Sequence, residues 1–268
     1  MIGAIAGDII GSIYERHPIK NENFPLFQNG SRFTDDSVMS LAVARAILDQ
    51  GNYGREMKEL GNLFPDAGYG GNFCKWLVES EIIPYNSWGN GSAMRVSPVG
   101  FAFDTSEKVL QEARASAEVS HDHPEGIKGA QAVASAILLA RQGSSKEDIR
   151  KVISGSFFYD LDRTVEQIRP EYRFDVSCMG SVPEGIIAFL DSTDYESAVR
   201  KAVSLGGDSD TLACIAGGIA EAYYKSIPST IIAEVKRLLP GILWEILEKF
   251  EKEYPCIELG VEFHTTSL

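Results

Sequence analysis

The chain has 268 residues, of which 44% are hydrophobic and 24% are charged, as in an ordinary globular protein with a large core. Its formal net charge of −13 argues against the basic face that nucleic acid or an anionic membrane would require. The charge does not exclude an anionic small molecule, because metal ions and helix N-termini can hold one in an acidic protein.

The N-terminal segment is apolar, but it has no basic leader and Asp8 interrupts it. No stretch reaches the roughly 18 uninterrupted apolar residues that a membrane span needs. The four cysteines are far apart and form no CxxC pair, which predicts free thiols in a reducing compartment. We therefore predict a cytoplasmic protein without a membrane span, and the sequence leaves its oligomeric state open.

Apolar residues recur three and four positions apart along most of the chain, a periodicity typical of helices that bury one face. Helices are predicted over residues 3–14, 38–48, 54–64, 71–80, 106–119, 126–140, 146–153, 183–190, 194–204, 210–223, 229–239 and 241–252. The best strand candidate is a short stretch at 261–264. We predict an all-α protein, a single compact multi-helix domain that spans residues 1–268.

Two short acidic motifs each open a long apolar helix: FTDDS at residues 33–37 and GDSDT at 207–211. Ser, Thr and Asp are common N-caps, so either motif alone is explained as a helix cap. A cap needs only one acceptor, however, and each motif offers two carboxylates and a threonine hydroxyl. The two helices are too apolar to be exposed, so the acids at their starts are expected to be buried. Burying unpaired carboxylates costs free energy, and motifs that converge would therefore need cations between them.

The oxygen-only ligand set favours a hard ion such as Mg²⁺, Mn²⁺ or Ca²⁺. Four aspartates and two threonines, completed by water, could serve two ions about 3.5–4 Å apart. Gly206 and Gly207 would let the backbone turn tightly before Asp208.

With these motifs in view, the sequence resembles the ADP-ribosylglycohydrolase family along nearly its whole length. The matching motifs, in order, are residues 3–8 (GAIAGD) with Gly11 and Glu15, 33–37, 89–95 (GNGSAMR), 120–121 (SH), 180–190 and 206–211 (GGDSDT). The resemblance implies an all-α fold and two Mg²⁺ or Mn²⁺ ions. The metal ligands that it implies are Thr34, Asp35, Asp36, Asp208, Asp210 and Thr211, with Asp35 and Asp208 also taking part in catalysis.

Glu15 could be a solvated glutamate at a helix end, as most glutamates are. The resemblance instead implies that Glu15 faces the metal site and acts as the acid/base of glycosidic cleavage, which needs a carboxyl group to manage protons. Asp8 is expected to cap a helix or hold the structure, and it is left out of the catalytic set.

The turn-rich loop at residues 89–92 could be an ordinary loop before a helix. The resemblance favours Asn90, Gly91 and Ser92 as a substrate-binding set that receives a phosphate at a helix N-terminus. Arg95 is expected to pair with the acids of the site.

His121 and His123 form a His-x-His pattern, but no third ligand supports a transition metal. His121 could be a histidine bonded to backbone at a helix entrance; the resemblance implies contact with the ribose or phosphate, and we expect His123 to be structural. Gly180 and Ser181 are weak binding candidates by the same resemblance. Aromatic residues in the irregular segment 154–182 could stack on adenine or pack in the core.

The resemblance implies a hydrolase that releases ADP-ribose from an ADP-ribosylated protein or small molecule, with no nucleic-acid or membrane partner expected. Two alternatives remain: a non-catalytic ADP-ribose-binding or structural relative of the same fold, and a different metal-dependent hydrolase such as a phosphoesterase. Arginine, serine, acetyl, nucleobase and other leaving groups stay open, as does the choice between Mg²⁺ and Mn²⁺.

Overall fold

The computed structural model describes residues 1–257, and the strand predicted at 261–264 lies outside them. Within the described residues there are fifteen helices and one isolated bridge, between Gly89 and Ser177, so the predicted all-α class is confirmed. The helices are α1 (Ile2–Gly11), α2 (Asp35–Leu48), α3 (Tyr53–Leu63), α4 (Gly71–Val78), α5 (Gly91–Met94), α6 (Ser97–Ala102), α7 (Ser106–Glu118), α8 (Pro124–Arg141), α9 (Lys146–Phe157), α10 (Val165–Ile168), α11 (Cys178–Leu190), α12 (Tyr195–Ser204), α13 (Ser209–Tyr224), α14 (Ser229–Leu238) and α15 (Gly241–Glu253).

The sequence pattern predicts the longer helices but not α5, α6 and α10, which are four to six residues long and too short to show a period. Helix α11 begins at Cys178 instead of residue 183, because the Ser177 hydroxyl caps it by accepting the Gly180 amide at 2.9 Å. No helix in the described part of the chain has both the length and the apolar composition needed to cross a bilayer.

A stripe of glycines brings α1 against α13 at the centre of the molecule. A Cβ on Gly3 would lie 2.7 Å from the Gly217 carbonyl oxygen, and a Cβ on Gly7 or Gly11 would overlap the backbone of α13. The two backbones therefore touch directly, with no side chain between them. This approach carries the end of α1 to the beginning of α13, where the second acidic motif lies.

The opposite end of the same helix pair is held by a buried ion cluster. The amino group of Met1 lies 2.8 Å from Glu221 on α13 and 2.5 Å from Glu251 on α15, and all three groups are excluded from solvent. Glu221 also accepts the Gly3 amide at 2.7 Å. The cluster joins the first helix of the chain to the last one described.

Lys20 connects the loop after α1 to the loop before α13. Its Nζ donates to the carbonyl oxygens of Leu205 at 2.5 Å and Tyr172 at 2.7 Å. Gly206 takes a left-handed conformation with φ of 65°, and the Tyr172 ring packs so closely on Gly207 that a Cβ there would overlap it. The second acidic motif is thus held from both sides as it enters α13.

Candidate active site

A cleft of about 420 Å³ opens where the N-termini of α2 and α13 meet, a volume within the usual range for small-molecule sites. Its acidic floor consists of Glu15, Thr34, Asp35, Asp36, Asp208, Asp210 and Thr211. The rest of the lining includes aromatic, apolar and neutral polar residues, among them Phe73, Tyr85, Asn90, Gly91, His121, Phe174 and Val176, and three arginines, Arg16, Arg32 and Arg95.

The two acidic motifs meet across this floor. The Thr211 hydroxyl lies 3.3 Å from Oδ2 of Asp36, although the two residues are 175 positions apart in the chain. Carboxylate oxygens of Asp8, Asp36 and Asp210 lie within 4.8 Å of one another. The helices that carry the motifs thus bring together carboxylates that would repel one another if all were charged and nothing lay between them.

The buried acids have strongly perturbed pKa values. Burial is the largest cause of the raised pKa of Asp36, followed by the charges of Asp8, Asp35 and Asp208. Burial also raises the pKa of Asp210 well above its usual value, and the charge of Asp208 makes the next largest contribution. The pKa of Asp35 is raised to about 7 by burial and then by Asp8. A cluster with these values favours either bound protons or bound cations.

Divalent cations fit the residues present. Oδ1 of Asp36 is buried and accepts no hydrogen bond from the described residues, which leaves a lone pair for a ligand. The available donors are carboxylate and hydroxyl oxygens, the set that Mg²⁺ and Mn²⁺ prefer. All six residues assigned as metal ligands in the sequence line this one floor.

Asp8 lies in the same cluster, but its oxygens are already engaged. It accepts the backbone amides of Thr34 at 3.0 Å and Ser37 at 3.1 Å, together with both of their hydroxyls. Asp8 therefore caps α2 from α1 and fixes the first acidic motif in place. This agrees with the structural role expected for it, and its closeness to Asp36 and Asp210 also adds charge to the cluster.

Glu15 ends the turn that follows α1, where its amide donates to the Gly11 carbonyl at 3.3 Å. Its side chain is partly exposed and lines the cleft. One of its carboxylate oxygens lies within 4.8 Å of oxygens of Asp208 and Asp210. Glu15 is thus a solvent-accessible carboxyl group beside a buried acidic floor.

Within the loop at 89–92, Asn90 and Gly91 reach the cleft and Ser92 does not. The Asn90 side-chain amide donates to Oδ2 of Asp208 at 2.7 Å, and its backbone amide donates to the Val176 carbonyl at 2.7 Å. Ser92 is fully buried, and its hydroxyl donates to the Gly126 carbonyl at 2.7 Å. The structure therefore gives Ser92 a supporting contact with α8 and gives Asn90 the contact with the acidic floor.

Arg95 does not pair with the acids of the site, contrary to the sequence prediction. Its guanidinium is buried and donates to the Ser116 carbonyl at 2.8 Å and the Ser120 hydroxyl at 2.9 Å. The Ser116 carbonyl is one of the last carbonyls of α7, which lack partners within the helix and attract a cation. Arg95 thus holds the loop that carries His121.

His121 is buried under the loop at 89–91. Its Nδ1 lies 2.8 Å from the Ser120 hydroxyl, and its Nε2 would be 3.0 Å from a Cβ on Gly91. Burial, followed by the charge of Arg95, lowers the pKa of His121 well below its usual value, so the ring is neutral. His123 caps α8 by accepting the Glu125 amide at 3.1 Å, a structural role as predicted.

Gly180 and Ser181 are placed outside the cleft lining. The Ser181 hydroxyl is buried and donates to the Ser177 carbonyl at 2.6 Å, while the Gly180 carbonyl accepts the Tyr172 hydroxyl at 2.9 Å. The Ser181 contact is internal to α11 and its cap, whereas the Gly180 contact joins α11 to the segment before it. From the irregular aromatic segment, Phe174 reaches the cleft and is 54% exposed.

The sequence did not predict part of the cleft lining outside the acidic floor. The missed residues are Gly68 and Gly70, in the loop before α4, and Gly71 and Phe73, in the first turn of α4. The closely spaced glycines of this segment were the available signal, because such clusters mark loops where a ligand can approach the backbone. Two arginines at the rim, Arg16 and Arg32, were also missed.

A buried, oxygen-only acidic floor beside an accessible glutamate is an arrangement that can hold divalent cations next to a group that transfers protons. The chain matches the family model described as ADP-ribosylglycohydrolase over residues 1–256, and it belongs to that family of hydrolases. The resemblance stated from the motifs is confirmed.

Individual relatives agree with the family. The ADP-ribosylhydrolase ARH3 of Homo sapiens is 27% identical over 304 aligned positions, which cover 84% of each chain. An uncharacterized protein of Archaeoglobus fulgidus is 27% identical over 78% of this chain and 77% of its own. A solved structure described as an ADP-ribosylglycohydrolase-related protein complex superposes with a TM-score of 0.72 at 24% identity and covers 96% of both chains, which shows the shared fold.

Proposed function

We propose that this protein hydrolyses the glycosidic bond between the anomeric carbon of ADP-ribose and a leaving group, and that two Mg²⁺ or Mn²⁺ ions assist it. The observation that carries the proposal is the convergence of both acidic motifs and Glu15 on one floor. Membership of the ADP-ribosylglycohydrolase family supports ADP-ribosyl conjugates as the substrate class.

The cations would be held by the six residues named from the sequence: Thr34, Asp35, Asp36, Asp208, Asp210 and Thr211. When bound, such ions orient a sugar diol and polarise a water molecule. Asp35 and Asp208 are proposed to take part in catalysis by orienting that water. Asn90 keeps Asp208 in one orientation through its 2.7 Å hydrogen bond.

Glu15 is proposed to move the proton. As the glycosidic bond breaks, the Glu15 carboxyl group donates its proton to the departing atom of the leaving group. A water oxygen then bonds to the anomeric carbon, and Glu15 as a carboxylate takes the proton that this water loses. Glu15 thereby returns to its starting protonation state.

The remaining cleft residues are proposed to bind the substrate. Asn90, Gly91 and the neutral ring of His121 line the cleft, and they would hydrogen-bond to ribose or phosphate oxygens. Ser92, Gly180 and Ser181 are proposed to act indirectly, because their contacts support the loop at 89–92 and the start of α11.

A conjugate panel tests the proposal. Purified protein with Mg²⁺ or Mn²⁺ is incubated with ADP-ribosyl conjugates of arginine, serine, acetate and nicotinamide, and free ADP-ribose is quantified by chromatography. We expect release from at least one conjugate, and we expect E15Q to slow it at least about 100-fold while ADP-ribose still binds. E81Q, a change at an exposed position, serves as the matched control.

The panel also separates the alternatives. A non-catalytic binding protein would bind ADP-ribose and release none from any conjugate. A phosphoesterase would release inorganic phosphate or a nucleoside monophosphate instead of ADP-ribose. Either result would refute the proposed glycosidic cleavage.

A further inference from the structure

Two arginines stand at the rim of the cleft, beside Glu15. Arg16 follows Glu15 directly, and Arg32 lies two positions before Thr34; both line the cleft and both side chains are exposed. The backbone amide of Arg32 donates to the Ser12 hydroxyl at 3.2 Å, which ties Arg32 to the turn that carries Glu15. The two arginines therefore lie on chain segments that contact each other.

Arg16 and Arg32 have no acidic partner in the part of the chain that the structure describes. Among the ion pairs of residues 1–257, neither guanidinium pairs with a carboxylate, whereas exposed arginines on the helices, such as Arg55, Arg114 and Arg237, pair with glutamates. Arg32 reaches the Asp66 carbonyl only at 3.5 Å. Because no carboxylate of the described residues pairs with them, the two guanidinium groups are available to a ligand.

The chemistry of the proposed reaction indicates which part of the substrate the two guanidinium groups would contact. A general acid must lie within hydrogen-bond reach of the atom that it protonates, so the leaving group departs past Glu15. Residues adjacent to Glu15 on the rim then meet the leaving group. Phe174 and Val176, which also line the cleft, add apolar surface.

From this arrangement we infer that Arg16 and Arg32 form an acceptor subsite that selects leaving groups carrying carboxylates, such as an ADP-ribosylated side chain within an acidic peptide. Guanidinium groups suit carboxylates because they can donate two parallel hydrogen bonds. The same pair repels a cationic leaving group. The inference rests on the proposed function, since it assigns specificity to the same reaction.

The test compares matched substrates that differ only in charge. Two peptides carry ADP-ribose through the linkage that the conjugate panel shows to be cleaved, and they differ by Glu or Gln at the two positions flanking it. We expect the Glu peptide to be cleaved with a kcat/KM about three- to tenfold higher, the size that two exposed ion pairs allow. We expect this preference to shrink in 1 M salt, where the Debye length falls to about 3 Å.

Variants then assign the preference to the two arginines. In the double variant R16Q/R32Q, we expect the preference to disappear while the kcat/KM for the Gln peptide and the affinity for free ADP-ribose stay within about twofold, since the leaving group alone is affected. R16K/R32K should keep part of the preference, because charge remains and the bidentate geometry does not. R55Q/R114Q removes the same charge at exposed helix positions and should keep the preference in full.

Each contrary result has a distinct meaning. Equal cleavage of both peptides by the unaltered protein, or a preference that survives in R16Q/R32Q, overturns the acceptor subsite. Weaker binding of free ADP-ribose by R16Q/R32Q would assign the arginines to the diphosphate and also overturn it. Failure of the unaltered protein to cleave any conjugate refutes the proposed function itself, and with it the subsite.

Discussion

Asp36 is a buried carboxylate that the folded chain cannot satisfy by itself. Its side chain is 2% exposed, its Oδ1 lacks a hydrogen-bond donor among the described residues, and Asp8, Asp35 and Asp208 raise its pKa further. When burial raises the pKa of an acid in the folded state, the free energy of unfolding of the protein falls as the pH rises through that value. The reason is that burial destabilises only the charged form of the acid. Without cations, the buried Asp36 therefore lowers the stability of the folded protein at neutral and alkaline pH.

We expect D36N to have opposite effects on the metal-free and metal-bound protein. In EDTA at pH 8, the free energy of unfolding should rise by about 1–2 kcal/mol, because a neutral amide removes the penalised charge. In Mg²⁺ or Mn²⁺, most of the metal-induced stabilisation should be lost, because a ligand is missing. Urea unfolding under both conditions measures this, with D162N at an exposed position as control.

The outcome distinguishes a cation site from an ordinary cluster of helix caps. If Asp36 served only as a cap, D36N would destabilise the protein in EDTA and leave the effect of metal unchanged. Either of these results would contradict the assignment of Asp36 as a metal ligand.

His121 makes a separate prediction about pH. Burial, then Arg95, holds its folded-state pKa well below the 6.5 of a free histidine, so below pH 6.5 the unfolded chain binds a proton that the folded chain does not. Stability is then lost as the pH falls below 6.5, by up to about 1.4 kcal/mol per pH unit from this residue.

We expect H121Q to lack this component. Unfolding free energies between pH 5 and 7, measured for both proteins with saturating Mg²⁺, should fall less steeply in the variant. Parallel profiles would show that His121 is protonated as easily in the folded state as in the unfolded one.

At the scale of elements, the α1–α13 contact sets the geometry of the site. Asp8 lies on α1 and Asp210 on α13, and they come within 4.8 Å only because the glycines of α1 leave no side chain between the helices. Gly7 is the middle glycine of this stripe, and a Cβ there would overlap the carbonyl of Ala213.

We expect G7A to destabilise the protein by about 2–4 kcal/mol, because backbone atoms cannot move aside as side chains do. Metal binding should weaken too, since α1 and α13 are forced apart. G155A is the matched control: Gly155 lies inside α9 with open space around it, so the change should be neutral or stabilise by up to about 1 kcal/mol. Denaturant unfolding and metal titration of both variants check this, and a G7A protein as stable as the original would contradict the close-contact argument.

The same helix pair shows how far the sequence could predict the site. The acidic motifs were visible because two acids and a hydroxyl exceed what a cap requires, and the helices were visible from their period. The partner of Arg95 and the burial of Ser92 and Ser181 were not, because they depend on which way a side chain points at a junction between helices. A polar residue near a motif reads the same in sequence whether it faces the cleft or the core.

At the scale of the whole molecule, the two ends of the α1–α13 pair have different roles: one belongs to the proposed active site and the other stabilises the fold. One end holds the acidic floor, which faces the cleft. The other end holds the buried ion cluster of Met1, Glu221 and Glu251, which connects α1, α13 and α15. Stability and function can therefore be separated by changing one end and measuring the other.

E221Q removes the charge of one acid of the ion cluster and leaves its shape. We expect the free energy of unfolding to fall by about 3 kcal/mol, because the buried amino group loses a charged partner and the Gly3 amide keeps only a neutral acceptor. At 10 °C, where the variant remains folded, its metal affinity and cleavage rate should match those of the unaltered protein within about twofold, because the acidic floor is untouched. E245Q, at an exposed position of α15, controls for the loss of one negative charge. A folded E221Q protein with impaired metal binding would show instead that strain passes along the glycine contact from one end of the pair to the other.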